Sequence, residues 1–144
     1  MPVAIKRVYE EAAKSDGKRL LVDRLWPRGL TKERAAIDAW LRDLSPSDEL
    51  RRWFHAKPRA WDSFRKKYLK ELSQTEAAQA LNELHQLSHS GQQITLLFGS
   101  KNVTQNNAVV LKDLLEGMRK PPTGTGPARS KSGKQAQAKR MPRP

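Results

Sequence analysis

The sequence predicts an α/β domain of three layers, a short and mostly parallel sheet flanked by helices, followed by a disordered basic tail. Three observations predict it. Short β-branched runs at residues 3–9, 19–26 and 93–98 alternate with longer stretches whose apolar residues keep helical spacing. The last of these runs, QITLLF, is apolar almost throughout, as a central strand covered on both faces must be. The folded part then closes in strand–loop–helix, the arrangement from which layered α/β sheets are assembled. The 144 residues are expected to divide into a domain over 1–119 and a tail over 120–144.

Each element has its own warrant. Residues 3–9 (VAIKRVY) alternate apolar and basic side chains and read as a strand. The polar connector 10–18 contains Asp16-Gly17, which either closes a hairpin or holds one helical turn that returns the chain in parallel. Residues 19–26 are the second strand. Thr31 caps a helix with Ile37, Trp40, Leu41 and Leu44 at helical spacing. Ser45 is the expected cap of the next helix, with Pro46 at its first position and Asp48 and Glu49 suited to the positive dipole end. That helix carries Leu50, Trp53 and Phe54. Lys57-Pro58 restarts a helix with Trp61, Phe64, Tyr68 and Leu72 along one side. Thr75 starts another, with Leu81, Leu84 and Leu87 inward and Gly91 as its stop. After the strand at 93–98 and the loop GSKNVTQ, the segment NNAVVLKDLLEGM is a helix capped by Asn106 or Asn107, burying Ala108, Leu111, Leu115 and Met118. From Pro121 onward almost nothing is available to bury, so the composition predicts disorder. The pattern is that of a small Rossmann-like sheet.

Charge and composition narrow the function classes. The formal net charge is +13, but the segment from Arg119 carries eight Lys and Arg and no acid, so the appendage supplies most of it. The body is expected to interleave both signs. A polyanionic partner is therefore expected at the tail, through Arg129, Lys131, Lys134, Lys139 and Arg140, as sequence-indifferent nucleic-acid binding. The absence of Cys excludes a disulfide framework, a thiol nucleophile and a thiolate metal site. No stretch approaches the ~20 apolar residues that span a bilayer, and the first residues lack the long apolar run of a signal peptide. A soluble cytoplasmic protein without a membrane partner is expected.

The stretch VDRLWPRGL, residues 22–30, is the strongest pointer to a site. An acid and two guanidinium groups, Asp23, Arg24 and Arg28, surround the end of a core strand. In open α/β sheets ligands bind beyond the carboxyl ends of the strands, and both DRLWPRG and GSKNVTQNN fall there. Two readings fit. The arginines form a clamp for phosphate or carboxylate, or an Asp–Arg bridge pins the loop. Asp23 and Arg24 lie on opposite faces of a strand, which argues against a simple pair between them. Lys101 in the second loop, with the helix start at Asn106, makes an anion site or an ordinary Asn cap with a solvated Lys. The glycine spacing of a P-loop is missing.

Other chemistry is weaker. His85 and His89 share a helix face without an HExxH pattern or a third ligand, and His55 suits a helix end, so no metal and no cofactor are expected. Trp53, Phe54, Trp61 and Phe64 sit beside Arg and Lys, which suggests base stacking, yet their helical spacing favours a core with the cations on the wet side.

KRVY, SDGKRLLVDRLWPRGLTKE, WLRDLSPSDELRRWFH, the F-x-x-x-Y-x-x-EL pattern from Phe64 and TLLFGSKNVTQNNAVVL occur in order over residues 3–118. In these the chain resembles the YeaO-like branch of the domain of unknown function 488 family. The resemblance implies a small three-layer α/β domain and an intracellular, bacterial type of protein, and it implies no reaction. Other branches carry a Cys-His pair near the start of the last helix, where this chain has Asn106-Asn107, so any thiol or metal chemistry of those branches is not expected here.

The expected function is recognition of a small anionic ligand, a phosphate, nucleotide or carboxylate. The lining would be Asp23, Arg24, Arg28, Lys101 and Asn106. Catalysis is left open: in a hydrolase or transferase Asp23 would be the acid–base group and the cations would stabilise developing charge. The alternative is a nucleic-acid-associated protein acting through its tail.

Overall fold

The computed structural model describes residues 3–118; the segment expected to be a tail, with Arg129, Lys131, Lys134, Lys139 and Arg140, lies outside them. One sheet runs in the order β1 (Ala4–Arg7), β4 (Ile94–Phe98), β2 (Lys18–Leu21) and β3 (Ala39–Trp40). All three pairings are parallel, so every strand presents its carboxyl end to the same edge. The connector before β2 holds a 3₁₀ turn at Lys14–Asp16, the parallel alternative of the two that the sequence allows. It carries the chain past the place of β4. Gly17 makes the final bend at φ 65°, where a Cβ would stand 2.1 Å from the Gln93 carbonyl oxygen.

β4 is buried at all five positions, as its apolar composition demands. Alternation divides the core in two. Leu20, Ile94, Leu96 and Phe98 point to one side, which is covered by α2 (Asp48–Ala56), α3 (Trp61–Leu72), α4 (Thr75–Ser88) and α5 (Asn107–Gly117). Leu21 and Leu97 point to the other, which is covered by the one-turn helix α1 (Lys32–Ala35) and its loops, with Trp26, Leu30, Ile37 and Trp40 packed in. Most of the buried apolar residues lie on the helical side, so hydrophobic burial contributes most there.

Four boundaries differ from the sequence reading. Thr31 caps α1 as expected, its Oγ1 accepting from Arg34 N at 3.1 Å. The helix nevertheless ends within one turn because Ala36 turns left-handed at φ 48°. Arg19 donates to the freed carbonyls of Ala35 and Ala36, placing a cation on the negative end. Ile37 and Trp40 then serve the sheet rather than a longer helix, with Ala39 and Trp40 opposite Leu20 and Leu21. The cap of α2 is Ser47, not Ser45. Ser45 Oγ is engaged by the Arg42 carbonyl, whereas Ser47 Oγ accepts from Leu50 N at 3.0 Å and donates to Glu71 at 2.6 Å. α3 begins at Trp61, four residues beyond Lys57. The second strand also stops at Leu21, well short of Trp26.

Candidate functional site at the carboxyl edge of the sheet

β2 delivers Val22 and Asp23 to the carboxyl edge, Val22 N still donating to the Leu97 carbonyl at 3.1 Å. Beyond that bond the chain leaves the sheet and Asp23 turns inward. Its Oδ2 accepts from Gly99 N at 2.8 Å and its Oδ1 from the Asn107 side-chain amide at 3.1 Å. Its backbone carbonyl accepts from the Trp40 indole at 2.7 Å. Burial raises the pKa of this carboxyl above its ordinary value; the Asn107 amide, the Gly99 N–H and the charge of Arg51 offset part of that rise.

The two loops that the sequence singled out are thus joined through Asp23 and Gly99. Gly99 follows β4 directly, and a Cβ there would lie 3.2 Å from Asp23 Oδ2, so the close approach favours glycine. Tyr9, just beyond β1, adds a second tie: its hydroxyl donates to the Arg28 carbonyl at 3.1 Å. Arg7 lies over the Tyr9 ring at 4.9 Å and donates to the Gly99 and Ser100 carbonyls.

The expected site residues separate into three fates. Asp23 is half-buried and bound to Gly99 and Asn107, so the expected alternative of an Asp–Arg bridge is not what forms. Arg24 faces away from it and donates to the Pro46 carbonyl at 3.0 Å. Asn106 is buried and spent on structure, its Oδ1 accepting from Val109 N at 3.0 Å and its Nδ2 donating to the Asn102 carbonyl at 2.8 Å. Arg28 and Lys101 are exposed, and their side chains make no hydrogen bond or ion pair among the described residues. The loop that holds Lys101 is shaped by Asn102, whose Oδ1 accepts from Thr104 N and Gln105 N.

Tyr9, Gly99 and Arg7 escaped sequence reasoning as site residues, and Asn107 was expected only at the start of the last helix. The doubled asparagine was the available signal: one caps α5, and the other faces inward to Val22 and Asp23. Among the described residues no group of three or more His, Cys, Asp or Glu stands where a metal ion would need it. His85 and His89 meet edge to face, with ring centroids 4.9 Å apart.

The family model described as the inactive DUF488-N3 subclade matches residues 2–131. The chain belongs to that subclade. Among curated proteins of the family, "Uncharacterized protein YeaO" of Escherichia coli is 46% identical over 118 residues, covering 82% of this chain and all of that one. "Uncharacterized protein Rv3073c" of Mycobacterium tuberculosis is 38% identical over 115 residues, covering 80% of this chain and 94% of its own length. "Uncharacterized protein Mb3100c" of Mycobacterium bovis matches to the same extent. No solved structure matches. Among the described residues, no helix of this DUF488-N3 domain is long and apolar enough to cross a membrane.

Proposed function

We propose that this domain of the inactive DUF488-N3 subclade is a non-catalytic module that binds a small anion, a phosphate, nucleotide or carboxylate, at the carboxyl edge of its sheet. The observation that carries the reading is the commitment of Asp23. Both of its carboxylate oxygens already accept hydrogen bonds from the protein. A general base must reach a substrate proton, and this one is turned to Gly99 and Asn107. It acts as a strut between two loops, and the reading assigns the edge to binding rather than reaction.

Arg28 and Lys101 are the cations that hold the anion. Both are exposed on loops that Asp23, Gly99 and Tyr9 fasten together, and neither side chain is spent on structure. Arg24 and Asn106, engaged by Pro46, Asn102 and Val109, support the frame instead. The subclade's description as inactive agrees with a binding role.

The test is thermal unfolding of the full chain with inorganic phosphate and with nucleoside monophosphates. A ligand at 100 times its Kd stabilises the folded state by about 2.7 kcal/mol. Arg28→Ala and Lys101→Ala are expected to keep the ligand-free melting temperature, because both residues are exposed, and to lose the ligand-induced rise. If neither anion shifts the wild type, or if both variants respond as the wild type does, the reading fails.

A further inference from the structure

The charge of the folded domain is not evenly mixed. Residues 51–70 carry eight Lys and Arg against the single acid Asp62, while the rest of 3–118 holds twelve cations and fourteen acids. All eight of these cations are exposed. Arg51 and Arg52 are partly answered by Asp48, at 2.6 and 3.0 Å. Lys57, Arg59, Arg65, Lys66, Lys67 and Lys70 have no ion pair among the described residues.

Their placement is ordered. α3 turns Phe64, Tyr68 and Leu72 to the core, and Lys66, Lys67 and Lys70 follow the i, i+1, i+4 spacing of the opposite, outward face. Lys66 and Lys70 are like charges one turn apart, an arrangement that weakens a helix. α5 handles its own cation differently, pairing Lys112 with Glu116 at 2.7 Å. Asp62 and Glu71 stand one turn from Lys66 and Lys67 without an ion pair to either among the described residues, so the row on α3 keeps its charge free for an anionic partner.

Aromatic rings adjoin the cations. Lys67 Nζ stands 5.0 Å from the Trp53 ring centroid, which links the row on α3 to α2. Trp53, Phe54 and Trp61 are only half-buried. Phe54 stacks on Phe64 at 4.3 Å, and Trp61 on Phe64 at 5.7 Å, so the rings form a fixed platform. The turn between the two helices opens into a depression lined by Lys57, Pro58 and Arg59. Regularly placed cations beside rigid, partly exposed rings are the chemistry that follows a sugar–phosphate backbone and stacks on its bases.

We infer that the outward face of α2 and α3 binds nucleic acid without regard to sequence, independently of the segment beyond residue 118 and of the carboxyl edge. Lys66, Lys67 and Lys70 contact phosphates, and Trp53 offers a ring to an unpaired base.

The experiment measures binding of the full chain to a duplex and to a single-stranded oligonucleotide by fluorescence anisotropy across a salt series. Lys66→Gln, Lys67→Gln and Lys70→Gln are combined in one variant, since Gln keeps helix propensity. A second variant carries Arg129→Gln, Lys131→Gln and Lys134→Gln, and a third Arg28→Gln and Lys101→Gln. The α3 variant is expected to lose at least about tenfold in affinity at 0.1 M salt, with a log–log salt slope on duplex shallower by about 3, at roughly 0.9 for each phosphate no longer neutralised. The other two variants are expected to retain the α3-dependent binding. Restoring the charge with Lys66→Arg, Lys67→Arg and Lys70→Arg is expected to restore affinity, which separates missing charge from a damaged fold. The inference is overturned if the α3 variant binds as the wild type does, if the variant beyond residue 118 alone abolishes binding, or if the arginine variant stays as weak as the glutamine one. It is also overturned if the wild type ignores oligonucleotides and binds vesicles containing phosphatidylserine.

Discussion

A single side-chain nitrogen of Asn107 donates both to the Val22 carbonyl at 2.8 Å and to Asp23 Oδ1 at 3.1 Å. It thereby holds the end of β2 to the first turn of α5. Asn107→Ala leaves a buried carbonyl and a half-buried carboxyl short of a donor, at about 1–3 kcal/mol per orphaned group. Asp23→Ala orphans Gly99 N in the same manner. Because the two residues share a bond, their effects are expected to fall short of additivity by about 0.5–3 kcal/mol in a double-mutant cycle read by urea unfolding. Strict additivity would mean that the bond contributes nothing.

Asn107→Asp puts a second carboxyl against Asp23, whose own pKa burial already raises. Like charges at close range raise both values further. Groups whose folded pKa is raised stabilise below the unfolded value and lose that contribution as pH rises through the folded one. The variant is therefore expected to approach wild-type stability near pH 3 and to fall behind it progressively toward neutrality. A melting-temperature difference that is flat from pH 3 to pH 7 would contradict this.

Asp16 is expected to act in the opposite sense. Burial works against its charge, but the Ala13 N–H, Lys6 and Arg19 outweigh it and hold the carboxyl below its ordinary value. The Arg19 bond is 2.6 Å and lies in the interior. A depressed folded pKa contributes stability above the unfolded value, lost as pH falls through the folded one. Asp16→Asn is expected to cost about 3 kcal/mol at pH 7, in the range for removing one partner of a buried pair. The deficit should shrink as the pH drops below about 4, an ordinary Asp pKa. Denaturant midpoints at pH 3 and pH 7 give the comparison.

The two helix caps offer a graded test. Asn106 is buried and caps the eleven-residue α5, whereas Thr31 is exposed and caps only four residues. Cap removal costs about 0.5–2 kcal/mol. Asn106→Ala is expected at the upper end, as it also releases the Asn102 carbonyl, and Thr31→Ala at the lower. A larger loss for Thr31→Ala in thermal melts would overturn the assignment of Asn106 to structure.

Gly17→Ala sets a positive φ against a Cβ that would overlap the Gln93 carbonyl. Strain of this kind costs about 1–3 kcal/mol before the overlap is added. The variant is expected to lose more than about 2 kcal/mol by urea unfolding, and equal midpoints would show that the bend is adjustable.

The sequence made the central strand and the helices α2 to α5 legible because each has one apolar face large enough to fix its period. ITLLF and the Phe64, Tyr68, Leu72 stripe carry that signal without ambiguity. α1 and β3 read as one helix in the sequence because Ile37, Trp40, Leu41 and Leu44 keep helical spacing while serving different elements. The break depends on Ala36 turning left-handed and on Arg19 reaching its carbonyls, and neither leaves a mark on the local pattern. At the carboxyl edge, the position of Asp23 at the end of a strand told where it would lie but not what it would hold. Its partners Gly99 and Asn107 come from a loop and a helix far along the chain, and tertiary hydrogen bonds of that span have no sequence period.

The sheet order carries a consequence for biosynthesis. Among the described residues β4 is the last strand in chain order, yet it is the one strand paired with β1 and the inner neighbour of β2. A nascent chain that has not yet released residues 94–98 has β1 unpaired and β2 joined to β3 through two residues alone. Such an intermediate exposes strand edges and cannot close either side of the core. Closure of the sheet therefore waits for residues 94–98 and then proceeds through long-range pairings, which are slow to close. A premature stop before residue 94 would leave β1 without its partner strand and only the two-residue β2–β3 pairing.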